Sequence, residues 1–180
     1  CYRWGFPDES AEGLTAETLK FSPPFLSDGS ERIPGFQVTV HTEDFHTPDW
    51  MKGAVCYQIF PDRFNRGSQF SEAKALDLMR YPERIWHHDW NEEVDFAGKD
   101  PEGYEACDFF GGTLGGVIEK LACLAEAGVT ALYLNPVFKG RSNHRYDTGD
   151  YLSVDPLLGT NDDLTELFRK AGEVGIHVIL

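Results

Sequence analysis

The stretch NHRYDTGDY, residues 143–151, gathers side chains suited to a polyhydroxylated ligand. Tyr146 offers a flat apolar face that suits stacking on a sugar ring, with a polar tip. Asp147 can accept hydrogen bonds from hydroxyls or hold an arginine at two points. Asn143 and His144 can donate or accept. Asp150 and Tyr151 read as braces for the loop. The same composition also suits a solvated, turn-rich connection, because Asp, Gly and Asn are common turn formers.

A second polar stretch, WHHDWNEEVDF, spans residues 86–96. His87, His88 and Asp89 are metal-ligand types, but adjacent histidines on a loop rarely converge on one ion, so no metal is expected there. Trp86 and Trp90 suit either a sugar platform or a pin between loop and body. Asp62 and Arg63, in PDRF, read as a structural ion-pair corner, and NEEVD as a solvated face. No Ser–His–Asp set, phosphate loop or His-Glu-x-x-His is present. Glycoside hydrolysis needs two carboxyl groups across the scissile bond. The sequence alone places no pair that way.

The elements that would position these groups follow from periodicity. AVCYQIF, VTALYLNP and IHVIL are short apolar runs, expected as strands buried on both faces. Between them, Leu114, Val117, Ile118, Leu121 and Leu124 repeat at helical spacing, with Thr113 as N-cap and Gly128 as stop. A second helix carries Leu164, Leu167, Phe168, Ala171 and Val174 on one face, starts near Thr160 or Asn161 and stops at Gly175. The order strand, helix, strand, helix, strand predicts a parallel sheet. Each helix-to-strand turn is about one glycine. The strand-to-helix connections are about fifty and about twenty-four residues long, the asymmetry of a (β/α)8 barrel whose long loops carry the site. An open doubly wound sheet is the alternative. GGTLGG does not directly follow a strand, so it reads as a tight turn and not a phosphate cradle.

The chain has 180 residues and a formal net charge of −14. That acidity disfavours nucleic acid or an anionic membrane as partner. No apolar run approaches membrane-spanning length. The four cysteines match no zinc or redox spacing, and Cys56 and Cys123 read as buried small hydrophobes. Residues 1–46 have β character with turn punctuation, and TEDFHTPDW is a polar linker. The first residue is Cys1 and the last lies in an apolar run, so the chain reads as an internal piece of a longer protein. Open sheet edges and helix faces would make that piece aggregation-prone alone.

The segments GAVCYQIFPDRF, DFFGGTLGGVIEKLACLAEAGVTALYLNPVF, SNHRYDTGDYLSVDPLLGT and LFRKAGEVGIHVIL, in that order, resemble the start of the catalytic barrel of the α-amylase family, glycoside hydrolase family 13. The subgroup resembled is that of neopullulanases, cyclomaltodextrinases and maltogenic amylases. The resemblance covers about residues 33–180. It implies an α/β fold: residues 47–180 form part of a (β/α)8 barrel, its first three strands and two helices. Residues 1–46 would be the trailing strands of an N-terminal β-sandwich of carbohydrate-binding type.

The resemblance implies hydrolysis of α-1,4 or α-1,6 glucosidic bonds in maltooligosaccharides, cyclodextrins or pullulan, with retention of configuration. It places Tyr146 against the sugar on the non-reducing side of the cleaved bond and Asp147 in the network beneath it. Asn143 and His144 would lie near the same subsite. The family's catalytic carboxylates lie on later strands, so no catalytic residue is expected within these 180 and the piece alone should be inactive. Calcium sites of the subgroup use Asn and Asp where this chain has Arg66 and a neighbouring Asn65, and an Asp where it has Thr113. No cofactor is therefore expected, with the Arg66 guanidinium standing where the cation would sit. Cytoplasmic location and homodimerisation through the sandwich are further implications. The readings left open are an oligo-1,6-glucosidase or pullulanase, a glucan transglycosylase, and a non-catalytic α-glucan-binding protein.

Overall fold

A computed structural model describes residues 46–94 and 106–180. Contacts divide the chain into two units, Cys1–Thr47 and Pro48–Leu180. All but the last residues of the first unit lie outside the described residues, and with them the expected β-sandwich.

The second unit is built on three parallel strands, β1 (Cys56–Ile59), β4 (Ala131–Leu134) and β7 (His177–Ile179), in the order β1-β4-β7. Register pairs Tyr57 with Leu132 and Leu132 with Val178. Helices α2 (Leu114–Glu126) and α3 (Asn161–Glu173) connect them. Successive strand residues face opposite ways. Ile59, Leu132, Leu134 and Val178 share one face and pack with Leu114, Val117 and Leu121 of α2 and Leu164, Leu167 and Ala171 of α3. The expected strand–helix alternation is thus present.

The helix ends show why sequence predicted them well. Thr113 Oγ1 accepts the Gly116 N–H at 2.9 Å, and Thr160 forms a reciprocal capping box with Asp163. Both helices then end alike. Gly128 and Gly175 take positive φ, 87° and 76°, which glycine adopts without steric penalty. Val129 N–H reaches back to Leu124 O and Ile176 N–H to Ala171 O. Gly128 and Gly175 bond in turn to Ala125 O and Gly172 O. This is one double-bonded closure used twice, and it leads straight into β4 and β7.

Four expectations need correction. β1 is not buried on both faces: Cys56, Tyr57 and Gln58 are exposed and only Ile59 is buried. Among the described residues β1 pairs with β4 alone, so one flank stays open. β4, paired on both sides, does meet the expectation at Ala131, Leu132 and Leu134. β7 is buried only at its entry, Ile176, while Val178 and Ile179 are half-buried. Cys56 and Cys123 are exposed free thiols, the first on that open edge and the second on the outer side of α2. Phe168 of α3 and Val174 just past its end are also exposed, so the buried stripe of α3 is narrower than predicted.

Neither long connection is featureless. The first holds α1 (Glu72–Leu78) and a two-residue parallel pair of β2 (Ile85–Trp86) with β3 (Asp108–Phe109). The second holds an antiparallel pair of β5 (Phe138–Lys139) with β6 (Asp150–Val154). A small second core of Ala75, Phe109 and Leu157, flanked by Phe70, Leu78 and Trp86, sits under both. The GGTLGG turn lies so close to the first connection that a Cβ at Gly112 or Gly116 would collide with the carbonyl oxygens of Pro61 or Asn65.

Candidate functional site

Residues 143–146 alternate inward and outward. Asn143 is buried, its side-chain amide donating to Asp108 O at 2.9 Å and its backbone N–H to Ala106 O at 2.8 Å. Arg145, 1% exposed, sends Nε to Asp155 Oδ2 at 2.8 Å and Nη1 to Asn143 O at 2.6 Å. It does so from a left-handed conformation, φ 59°, which costs a non-glycine residue about 1–2 kcal/mol. These bonds to a buried carboxylate and carbonyl offset that cost.

His144 and Tyr146 face the other way. Their rings lie 5.5 Å apart, and Tyr146 is 59% exposed. The Tyr146 N–H donates to His144 Nδ1 at 3.0 Å, so Nε2 carries the proton and is the free polar end of the ring. The Tyr146 hydroxyl shares a hydrogen bond with Tyr133 of β4, which pushes its pKa up. Tyr133 and its register partner Gln58 lie on the sheet face opposite the helices, and Gln58 Nε2 donates to Asn135 Oδ1 at 2.7 Å.

Asp147 turns back on its own loop. Its Oδ2 accepts the Arg141 and Ser142 N–H groups at 2.8 and 3.0 Å, and Oδ1 accepts from Ser142 Oγ. Partial burial raises its pKa, but these donors outweigh that effect and hold the carboxyl at about 2. Asp150 likewise accepts the Leu152 N–H. Of the four residues expected to bind ligand, two thus present free ring surface and two hold the loop that presents them.

A cavity of about 680 Å³ adjoins this loop, with Phe60, Arg63, Trp90, Phe110, Asn143 and His144 among its walls. Trp90 meets Phe110 edge-on at 6.2 Å and is 36% exposed, as a platform would be. Trp86 is the pin: it stacks on Phe70 and donates to Glu72 Oε1 at 2.8 Å. His87 and His88 turn to different partners. His87 is buried, stacks on Phe110, bonds Asp108 Oδ1 through Nε2, and has Nδ1 3.1 Å from Glu92 Oε2, off the line of a hydrogen bond. His88 pairs with Glu72. Asp62 is buried at the corner sequence predicted, 3.4 Å from Arg63 Nε and accepting the Phe110 and Gly111 N–H groups. Burial raises its pKa, against the lowering effect of Arg145, Arg63 and those amides.

Arg66 sits in a ring of main-chain oxygens. It donates to Phe110 O at 2.7 Å, to His87 O at 2.8 Å and to His88 O at 3.2 Å. The rings of Phe70, Trp86 and Trp90 surround its guanidinium at 5.2–5.8 Å. Thr113 Oγ1 donates to Arg66 O at 2.8 Å. Three carbonyls already spent on a guanidinium, with no carboxylate among them, do not fit a calcium ion.

Sequence reasoning passed over Arg145, Asp108 and Asp155. A charged residue is expected outside, and no periodic pattern links Arg145 to Asp155 across the loop.

Residues 58–180 match the family model for the α-amylase catalytic domain. An amylopullulanase from Thermoanaerobacterium saccharolyticum is 44% identical over 152 residues, covering 81% of this chain and 12% of that protein. Neopullulanase 2 from Thermoactinomyces vulgaris is 39% identical over 170 residues, covering 93% of this chain and 26% of that protein. The type III pullulan hydrolase from Thermococcus kodakarensis superposes with a TM-score of 0.63 at 34% identity, covering 85% of this chain and 28% of that one. This chain therefore spans between about an eighth and about a quarter of these relatives.

Proposed function

The chain belongs to the α-amylase family, and from that premise we propose that it is the N-terminal portion of a retaining glycoside hydrolase acting on α-1,4 or α-1,6 glucosidic bonds. Its substrates are maltooligosaccharides, cyclodextrins or pullulan. The three parallel strands are the first three of a (β/α)8 barrel, and the two long connections build one wall of its substrate cleft.

The observation that carries this reading is the alternation at 143–146. It turns the His144 and Tyr146 rings away from a buried polar layer, with His144 in the wall of the Trp90–Phe110 cavity and Tyr146 exposed 5.5 Å from it, ring to ring. Tyr146 stacks on one glucose ring and His144 Nε2 donates to a hydroxyl. Asn143 and Asp147 act through the loop, fixing its path. The chain supplies binding and orientation and no reacting carboxylate. The buried acids Asp62, Asp108 and Asp155 are each engaged by an arginine, a histidine or main-chain amides. The reaction needs a nucleophile and a general acid about 5–5.5 Å apart, which later strands provide. Arg66 replaces a cation and makes the protein independent of calcium at this position.

The test is hydrolysis of maltoheptaose, β-cyclodextrin and pullulan by the intact protein, with the first-formed anomer read by proton NMR. The α-anomer is expected. Absence of cleavage, or the β-anomer, overturns the reading. Tyr146→Ala should raise KM for maltoheptaose by roughly tenfold, the loss of one stacking contact in a shielded site.

A further inference from the structure

Beside α1 and β5 lies a pocket of about 310 Å³, on whose lining Arg80, Tyr81, Arg84, Lys139 and Asp155 converge. Its charge does not balance. Asp155 is the sole acid in that lining, and its oxygens are taken by Arg145 Nε and the Leu157 N–H. Two guanidinium groups, Arg84 and Arg145, share the Phe109 ring at 4.6 and 5.7 Å. Arg145, which backs Asp155 and does not itself line the pocket, has Nη2 buried with no acceptor among the described residues. Arg84 is fixed in place, with Nε and Nη2 on Arg141 O and Gly140 O and the Tyr81 ring 4.7 Å away. Carbonyls satisfy its N–H groups without neutralising its charge. Burial lowers the Arg84 pKa and the Arg145 charge adds to this, against the raising effect of Asp155 and Glu83. At the rim, Arg80 is exposed with no ion pair among the described residues, and Lys139 makes one long, exposed pair with Asp150 at 3.9 Å. This cluster of positive charge belongs to a chain whose net charge is −14.

We propose that this pocket is a binding site for a phosphate group, either free or carried by a small hydroxylated molecule. A pre-positioned arginine with two flexible cations at the mouth suits a compact, multiply charged oxyanion. The volume lies near the lower end of small-ligand sites, roughly 300 Å³ and upward. The proposal stands apart from glucan hydrolysis, and its test reads binding alone.

Inorganic phosphate and glucose 6-phosphate are titrated calorimetrically into the intact protein in sodium chloride buffer. Saturable binding at one site is expected. The double variant Arg80→Ala, Lys139→Ala changes two exposed side chains and should weaken it by at least roughly tenfold, with an unchanged melting curve. Lys120→Ala, on α2 and outside this pocket, should leave it unaltered. Tighter binding of glucose 6-phosphate identifies the phosphorylated molecule as ligand, and equal binding identifies free phosphate. Non-saturable heats, equal competition by chloride, or full-strength binding by the double variant would each overturn the proposal.

Discussion

The two strand-to-helix connections hold their shape by different means. In the first, the Arg66 cation is surrounded by main-chain oxygens and aromatic rings and forms no ion pair within 4 Å among the described residues, although Asp62 nearby holds the Phe110 and Gly111 N–H groups. In the second, charge meets charge and carboxylate meets amide: Arg145 with Asp155, and Asp147 with the Arg141 and Ser142 N–H groups. A carbonyl ring is indifferent to pH across the range in which carboxylates titrate, whereas a carboxylate clamp is not. The clamp beneath His144 and Tyr146 is therefore acid-sensitive through Asp147, and the carbonyl ring around Arg66, beside Trp90, is not.

Arg145→Ala should break this contrast most severely. It strands the Asp155 carboxylate in the interior, and losing one partner of a buried pair costs about 3–5 kcal/mol. Chemical denaturation of the intact protein should show a lower midpoint. A loss below about 1 kcal/mol would mean the pair is solvated. Arg66→Ala should cost less, about 2–3 kcal/mol, because it leaves carbonyls unsatisfied and no charge behind. Arg66→Lys should recover only part of this, since an ammonium cannot reach three divergent carbonyls as a planar fork does.

The pH dependence separates the Asp147 clamp from the Arg66 ring directly. Asp147 has a folded pKa of about 2, below its unfolded value near 3.8, so its stabilisation is complete above the unfolded value. It is lost as pH falls from about 4 toward 2. Amide exchange at Arg141 and Ser142 should speed up over that interval, relative to the intrinsic rate, while exchange at Thr113, whose N–H bonds Asn65 O, should not. Asp147→Asn should remove the dependence. The smallest effect belongs to Ser142→Ala, which removes one donor to Asp147 and one acceptor of the Arg145 N–H, for about 1 kcal/mol.

What was legible in the sequence follows the same division. Thr113, Gly128, Thr160 and Gly175 announce helix ends because capping is a local matter of side chain and φ. Leu114, Val117 and Leu121 announce a buried face because their spacing is itself the signal. β2 and β3 announce nothing. Each is two residues long, and Ile85 finds Asp108 across a separation that no periodic pattern spans. Tyr146 and His144 stood out by type. Which of the four flagged residues face outward did not, since Arg145 is the residue whose burial sets the alternation, and a charged side chain is normally expected at the surface. The exposed edge of β1 was illegible for another reason: an apolar strand reads the same whether one flank is covered or two.

The twin closures at Gly128 and Gly175 reach beyond stability. Each hands a helix to a strand across three or four residues, in a fixed hydrogen-bond pattern, so neither can absorb an inserted residue without shifting the strand register. The opposite ends of the strands carry connections that already contain extra helices and hairpins. Insertions and deletions are thus filtered by position: one rim of the sheet is closed to them and the other is open. A lineage built on this frame can remodel what it recognises, loop by loop, while inheriting the same frame intact.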